Sequence, residues 1–237
     1  MKYAAPILVF GMIGSALVAL VLCPSLDLVA SGLFYDNGFF LAQHPVFVFL
    51  HGLAVYGSWA LGGVLVLITA TAYIRRKDIS PLPRKGWLFL LLALLIGPVL
   101  IANVGFKDHW GRARPREVTA FGGTATFSPA LVPQAVATKN GSFISGDGAF
   151  GFYLPCFAYL VPLSRRNLSR RVFWGGMAAG GVFSFARLAM GAHFLSDILF
   201  AALLMLACST ALHTMLYGKQ TTRAYWREWL GLTPPHR

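Results

Sequence analysis

The chain has 237 residues, of which 57% are hydrophobic and only 12% charged, with a formal net charge of +12. So few charges cannot coat a water-soluble globule of this size, which excludes a soluble protein and makes a lipid bilayer the expected solvent. The basic residues sit in short clusters between long apolar runs rather than along one polar face, which argues against a nucleic-acid partner and for anionic lipid. Cys23, Cys156 and Cys208 lie in or beside apolar stretches, without CxxC or metal-ligand spacing, and are expected as small buried hydrophobes.

Spanning a hydrocarbon core of about 30 Å takes a helix of roughly 20 residues. The first apolar run, Ala5 to Leu22, follows a weak basic start at Lys2 and ends at Leu22-Cys23-Pro24 without small residues at the positions a signal peptidase reads, so it is expected as an uncleaved span. Further runs cover Val46 to Ile74, Trp87 to Gly105, Ala149 to Leu163, Val172 to Met190 and Phe194 to Leu216. The pattern predicts an all-α, polytopic bundle of six transmembrane helices over residues 1–216, with a basic tail over 217–237. Arg75, Arg76, Lys77, Arg84 and Lys85 follow the second run, and Arg165, Arg166, Arg170 and Arg171 the fourth. Short basic loops stay in the cytoplasm, so both termini, including the tail with Lys219, Arg223, Arg227 and Arg237, are expected there. The first outer loop, Pro24 to Pro45, has no Lys or Arg; Leu26, Leu28, Val29, Leu33 and Phe34 between Asp27 and Asp36 predict a short interfacial helix, a plain connector being the alternative.

The second outer segment, Lys107 to Gly148, breaks the charge rule with five basic residues, and charge at membrane depth marks a polar site. Three motifs meet at the outer ends of spans three, four and five. In Lys107-Asp108-His109-Trp110-Gly111-Arg112-Ala113-Arg114-Pro115, Lys107 and Arg114 are seven residues apart, so a helix continued beyond span three gives them one face, suited to a tetrahedral dianion, until Pro115 ends it. A snorkelling basic fringe is the alternative. In Ser142-Phe143-Ile144-Ser145-Gly146-Asp147-Gly148, the Ser145-Gly146 turn offers backbone N–H groups and a hydroxyl at a helix start; Ser145 or Asp147 as a simple N-cap is the alternative. In the segment from Arg187 to Asp197, His193 and Asp197 stand at i and i+4, where a carboxylate can orient an imidazole, and Arg187 adds a phosphate donor. His109, on the far side of an ideal helix from Lys107, and His51 and His213, each alone within a span, are expected to be structural.

In order, these motifs resemble the type 2 phosphatidic acid phosphatase superfamily, which includes membrane lipid phosphatases, soluble acid phosphatases and vanadium haloperoxidases. Its pattern is Lys-x6-Arg-Pro, then Pro-Ser-Gly-His, then Ser-Arg-x5-His-x3-Asp. Lys107, Arg114 and Pro115 match the first part fully, and Arg187, His193 and Asp197 match the third, with Ala186 in place of Ser. The middle part keeps Ser145 and Gly146 but has Ile144 for Pro and Asp147 for His. The resemblance implies a metal-independent lipid phosphatase needing no cofactor, with its site at the outer face of a bacterial inner membrane. It implies that His193 attacks phosphorus and becomes a phosphohistidine, that Asp197 holds the histidine's tautomer, and that Lys107, Arg114, Arg187 and the Ser145-Gly146 turn neutralise the phosphoryl oxygens.

The resemblance also places Asp147 where the superfamily carries the histidine that protonates the leaving group. An apolar setting raises a carboxyl pKa while neighbouring cations lower it, so a protonated Asp147 is not assured. One reading is a leaving group that needs little help, which favours a polyprenyl diphosphate or a glycolipid phosphate such as that of lipid A. A second is phosphotransfer to a lipid or sugar hydroxyl with Asp147 as base; a third is a phospholipid-binding protein without catalysis, against which a retained His193 and Asp197 argue. The expectation taken forward is the phosphatase, with catalytic His193, Asp197 and Asp147.

Overall fold

The structure, a computed structural model, describes residues 4–134 and 140–230; Lys2, Lys139 and Arg237, each among the basic residues above, lie outside them. Every regular element among the described residues is helical. Helix α1 (Ala4–Leu22) and the short α2 (Ser25–Gly32) meet at Pro24, the segments Ile13–Leu22 and Ser25–Gly32 enclosing a bend of 109°. Helix α3 (Pro45–Ile74) follows; then α4 (Arg84–Leu94) runs on as a π-helical stretch, Leu95–Lys107. Proline 98 lies inside that stretch, where its missing N–H forbids a regular ladder, and the Asn103 side chain donates to its carbonyl at 2.9 Å. Helix α5 (Gly146–Tyr153) continues as a 3₁₀ helix, Leu154–Leu160, followed by α6 (Arg166–Ala189), α7 (Leu195–Tyr217) and α8 (Lys219–Leu230).

Among the described residues four helices are long and apolar enough to cross a membrane, five if the bent α1–α2 pair counts as one. Side chains such as Tyr56, Leu67 and Ile74 on α3 face outward, which suits lipid tails and not water. The fourth expected span is different. From Asp147 to Tyr153 every residue of α5 is buried, so this short helix is the centre of the bundle rather than part of its wall. Its contact with α6 runs through small residues: a Cβ on Gly151 would fall 2.4 Å from the Gly180 Cα, and one on Gly176 would meet Pro155. Such glycine contacts let helix backbones approach closely in lipid.

The chain order puts the start of α3, the end of the π-helical stretch, the start of α5, the end of α6 and the start of α7 at one end of the bundle. Arg75 and Arg76 follow the last residue of α3, Arg84 and Lys85 open α4, and Arg166, Arg170 and Arg171 open α6, so the other end is basic. There α8 folds back on α6: Tyr225 and Trp229 are buried, the Ser169 hydroxyl lies 2.9 Å from the Tyr225 hydroxyl, and Arg170 Nε donates to the Trp229 carbonyl at 3.0 Å. His213 is stacked between the rings of Tyr159 and Tyr217, a structural role as expected. Cys156 is buried and Cys208 partly so, but Cys23 is exposed, because it sits at the end of α1 where the chain turns away from the bundle.

Candidate active site

Two polar layers lie at the motif-bearing end, and the deeper one is built on Arg112. This side chain is fully buried; its Nε donates to the Ser128 carbonyl at 3.0 Å, Nη1 to Asp197 Oδ1 at 2.5 Å and Ser196 Oγ at 2.8 Å, and Nη2 to Asp27 Oδ2 at 2.8 Å. Both carboxylates have further donors: Ser196 N and Oγ for Asp27, Ser142 Oγ and Phe194 N for Asp197. Burial opposes the Arg112 charge, but Asp197 and Asp27 more than offset it and hold its pKa above the ordinary value. The α2 helix therefore does more than present an apolar face, since its Asp27 and Ser31 point inward and are buried.

The outer layer carries the residues expected from the motifs. Lys107 and Arg114 do come together, though not on one helical face. The helix stops at Lys107, Gly111 turns the chain with a φ of 69°, and Arg114 is extended at φ −81° and ψ 158°. Gly111 adopts this left-handed conformation without a Cβ penalty and turns the chain four residues beyond the helix end, so that this helix does not reach Arg114 or Pro115. Lys107, Arg114, Arg187 and Asp147 lie within electrostatic reach of one another. Ser145 is the N-cap of α5, its Oγ accepting from Gly148 N at 3.2 Å, and a Cβ on Gly146 would lie 3.0 Å from Lys107 Nζ, so the ammonium rests over the Ser145-Gly146 turn. The Arg187 Nε lies 3.5 Å from Asp147 Oδ2 and has no hydrogen-bond partner among the described residues.

His193 sits between α6 and α7 and is fully buried. Its Nδ1 is 2.7 Å from the Ser142 carbonyl and 3.8 Å from Asp197 Oδ2, so the carbonyl, not the carboxylate expected from the i,i+4 spacing, is the direct partner. The Asp197 carboxylate instead accepts from the Ser142 hydroxyl at 2.5 Å. A carbonyl only accepts, so Nδ1 carries the proton and Nε2 the lone pair. Burial, helped by the charges of Lys107 and Arg187 against the opposing effect of Asp197, lowers the imidazole to about 4. The ring is therefore neutral at physiological pH, and Nε2 is buried without a hydrogen-bond partner among the described residues.

His51 and Asp147 depart most from expectation. His51 is not solitary: its Nδ1 lies 2.6 Å from Asp147 Oδ2. The same oxygen lies 3.5 Å from Arg187 Nε, so the carboxylate already faces two groups that favour its ionised form. Both residues line a cavity of about 840 Å³ between α3 and the π-helical stretch, with Lys107 at its polar end and Val55, Trp59, Leu95 and Val99 along its apolar length. His109 is exposed and its ring bonds the Val104 carbonyl, as befits a structural residue.

A helical membrane protein that gathers cations near an imidazole whose Nε2 has no hydrogen-bond partner among the described residues is equipped to handle phosphoryl groups. Residues 86–221 match the PAP2 superfamily, and the chain belongs to that family. It is 32% identical to the lipid A 4′-phosphatase of Francisella tularensis subsp. novicida (strain U112) over 86% of this chain and 92% of that one. Lipid A 4′-phosphatases of Rhizobium leguminosarum and Rhizobium etli are 38% and 39% identical over 54% of this chain, covering 53% and 49% of their own lengths. No solved structure matches the chain. The chain is thus a hydrolase of phosphate monoesters in the membrane lipid phosphatase branch of the superfamily.

Proposed function

We propose that this enzyme removes the 4′-phosphate from a lipid A-type glycolipid through a phosphohistidine on His193. The observation that carries the reading is the buried imidazole whose Nδ1 is held by the Ser142 carbonyl and whose Nε2 has no hydrogen-bond partner among the described residues, within electrostatic reach of an Arg187 whose Nε likewise makes no hydrogen bond there and faces Asp147 only at 3.5 Å. Such orphaned groups are costly unless a ligand completes them. The Nε2 lone pair attacks phosphorus in line; Lys107, Arg114, Arg187 and the Ser145-Gly146 turn take up charge on the phosphoryl oxygens, the Ser145 hydroxyl keeping its proton to donate while its oxygen accepts from Gly148 N. The apolar cavity that runs from Lys107 and Asp147 along α3 fits an acyl chain and supports a lipid substrate. A phosphate at the 4′ position of a sugar is an ester of an ordinary secondary alcohol rather than of a hemiacetal or a diphosphate. An easy leaving group then no longer explains how Asp147 is tolerated.

The same proposal places the site at the periplasmic face of a bacterial inner membrane, with six crossings and both termini in the cytoplasm. Its support is the separation of a basic end from the site end, and the length of α5 with its 3₁₀ continuation. Eight α-helical and seven 3₁₀ residues reach about 26 Å, near the thickness of the hydrocarbon core. The exposed Leu26, Val29 and Leu33 suit an α2 lying along the outer interface. The test is phosphate release by the purified protein from 4′-phosphorylated lipid A, a polyprenyl diphosphate and phosphatidic acid, with His193→Ala as the blank. Preference for the glycolipid and trapping of a phosphohistidine are expected. Activity surviving in the blank, label passed to another lipid, or turnover confined to the diphosphate would each overturn the reading.

A further inference from the structure

The mechanism above lacks an acid. Expelling the oxygen of an ordinary alcohol from phosphorus calls for a proton on that oxygen, a contribution of about 10² to 10⁴ in rate. Asp147 stands at the matching position of the second motif but its carboxylate is already engaged by His51 and faces Arg187. His51 comes from the first turns of α3, at the site end of the bundle, and lines the same cavity. Its side chain is 38% exposed there, against 8% for Asp147, so the imidazole and not the carboxylate is open to a substrate. An imidazole that gives Nδ1–H to a carboxylate is fixed in orientation, which leaves Nε2 to exchange a proton. The same Asp147 Oδ2 lies 3.5 Å from Arg187 Nε, so His51 and one of the proposed phosphate-binding cations meet at one oxygen atom.

We propose that His51 is the general acid of this phosphatase and Asp147 its positioning residue, a His–Asp pair drawn from α3 and α5 that does the work of one histidine. The proposal rests on His193 being the nucleophile. As the His193 Nε2–phosphorus bond forms, the bond from phosphorus to the ester oxygen breaks; its electron pair goes to that oxygen, which takes the proton from His51 Nε2 and leaves as the alcohol. Water then attacks phosphorus and gives a proton to the now neutral His51, and the phosphorus–nitrogen bond returns its electrons to His193, releasing inorganic phosphate. Asp147 stays ionised throughout and keeps the His51 ring in place.

The test uses the purified full-length protein in detergent micelles and two substrates that differ in leaving group: a 4′-phosphorylated glycolipid, and p-nitrophenyl phosphate, whose leaving group needs no proton. Inhibition by orthovanadate reports an intact phosphate site. His51→Gln is expected to lose about 10² to 10⁴ in turnover of the glycolipid and far less on the aryl ester, with vanadate inhibition retained. Asp147→Asn should show the same selective pattern to a smaller degree. Equal losses on both substrates, or none, overturn the role of His51 and leave His193 standing, whereas activity in His193→Ala removes the nucleophile whatever His51 does. Should His51→Gln lose vanadate inhibition through misfolding, the pattern in Asp147→Asn decides in the same way.

Discussion

Arg112 and Arg114 are separated by a single residue, yet one belongs to a closed network and the other to an open one. Each guanidinium nitrogen of Arg112 donates to a protein oxygen, and the two carboxylates it holds, Asp27 and Asp197, are filled out by hydroxyls and backbone N–H groups. Among the described residues the Arg114 guanidinium makes one hydrogen bond, to the Asn140 carbonyl, and its neighbours Lys107 and Arg187 both have Asp147 as a nearby acid, Lys107 having Asp108 as well. Where charges are matched the protein has built a frame, and where cations are in excess it has kept a place for an anion. Position in the chain does not separate the two roles; the supply of partners does.

The largest effect is expected from breaking the frame. Arg112→Ala leaves two buried carboxylates without a counter-charge, and losing one partner of a buried ion pair costs about 3–5 kcal/mol. Thermal unfolding in detergent should show this as a large fall in Tm, which Arg112→Lys does not restore, because a point ammonium cannot replace a planar guanidinium that donates to four acceptors. A stable Arg112→Ala protein would mean that the network is not the frame it resembles. Arg187→Ala should behave in the opposite sense. Removing one donor to the phosphoryl oxygens lowers turnover by about 10² to 10³, while Tm holds or rises, since a cation leaves a like-charged cluster. A fall in Tm comparable with that of Arg112→Ala would erase the distinction.

Acid sharpens the comparison at His193. In an unfolded chain a histidine takes its proton near 6.5, whereas the buried ring does so at about 4. Between these values the unfolded state binds the extra proton, so the stability lent by the neutral ring is complete above about pH 6.5 and is lost as pH falls towards 4. The difference amounts to about 3 kcal/mol. His193→Asn should flatten this part of the stability–pH curve in detergent, and an unchanged slope would assign it to other groups.

Much of the outer layer was legible in the sequence because motif spacing carries chemistry: Lys107, Arg114, Ser145, Gly146, Arg187 and His193 all reach one end of the bundle. The frame was not legible. Arg112 and Asp27 are 85 residues apart, and the hint was that Asp27 is one of two acids in an outer segment that holds no Lys or Arg. His51 was passed over as a lone polar residue in a span because its partner lies 96 residues away on another helix. Its signal was cost: an ionisable residue within a membrane helix wants a partner, and His51 lies near the end of α3 that the motifs share. The common face drawn for Lys107 and Arg114 failed for a local reason, the left-handed turn at Gly111.

Ser142 joins the two layers, and the mildest substitution tests how they are joined. Its hydroxyl donates to Asp197 in the frame, while its backbone carbonyl accepts from His193 Nδ1 in the site. Ser142→Ala removes the first bond and keeps the second. Asp197 retains Arg112 and Phe194 N, so the expected loss is that of one buried hydrogen bond, about 1–2 kcal/mol. Turnover should hold within about tenfold, because the tautomer that exposes the Nε2 lone pair depends on the carbonyl. If Ser142→Ala instead slows catalysis as much as Arg187→Ala with Tm unchanged, Asp197 reaches His193 through that hydroxyl during the reaction, and the frame takes part in the chemistry it supports.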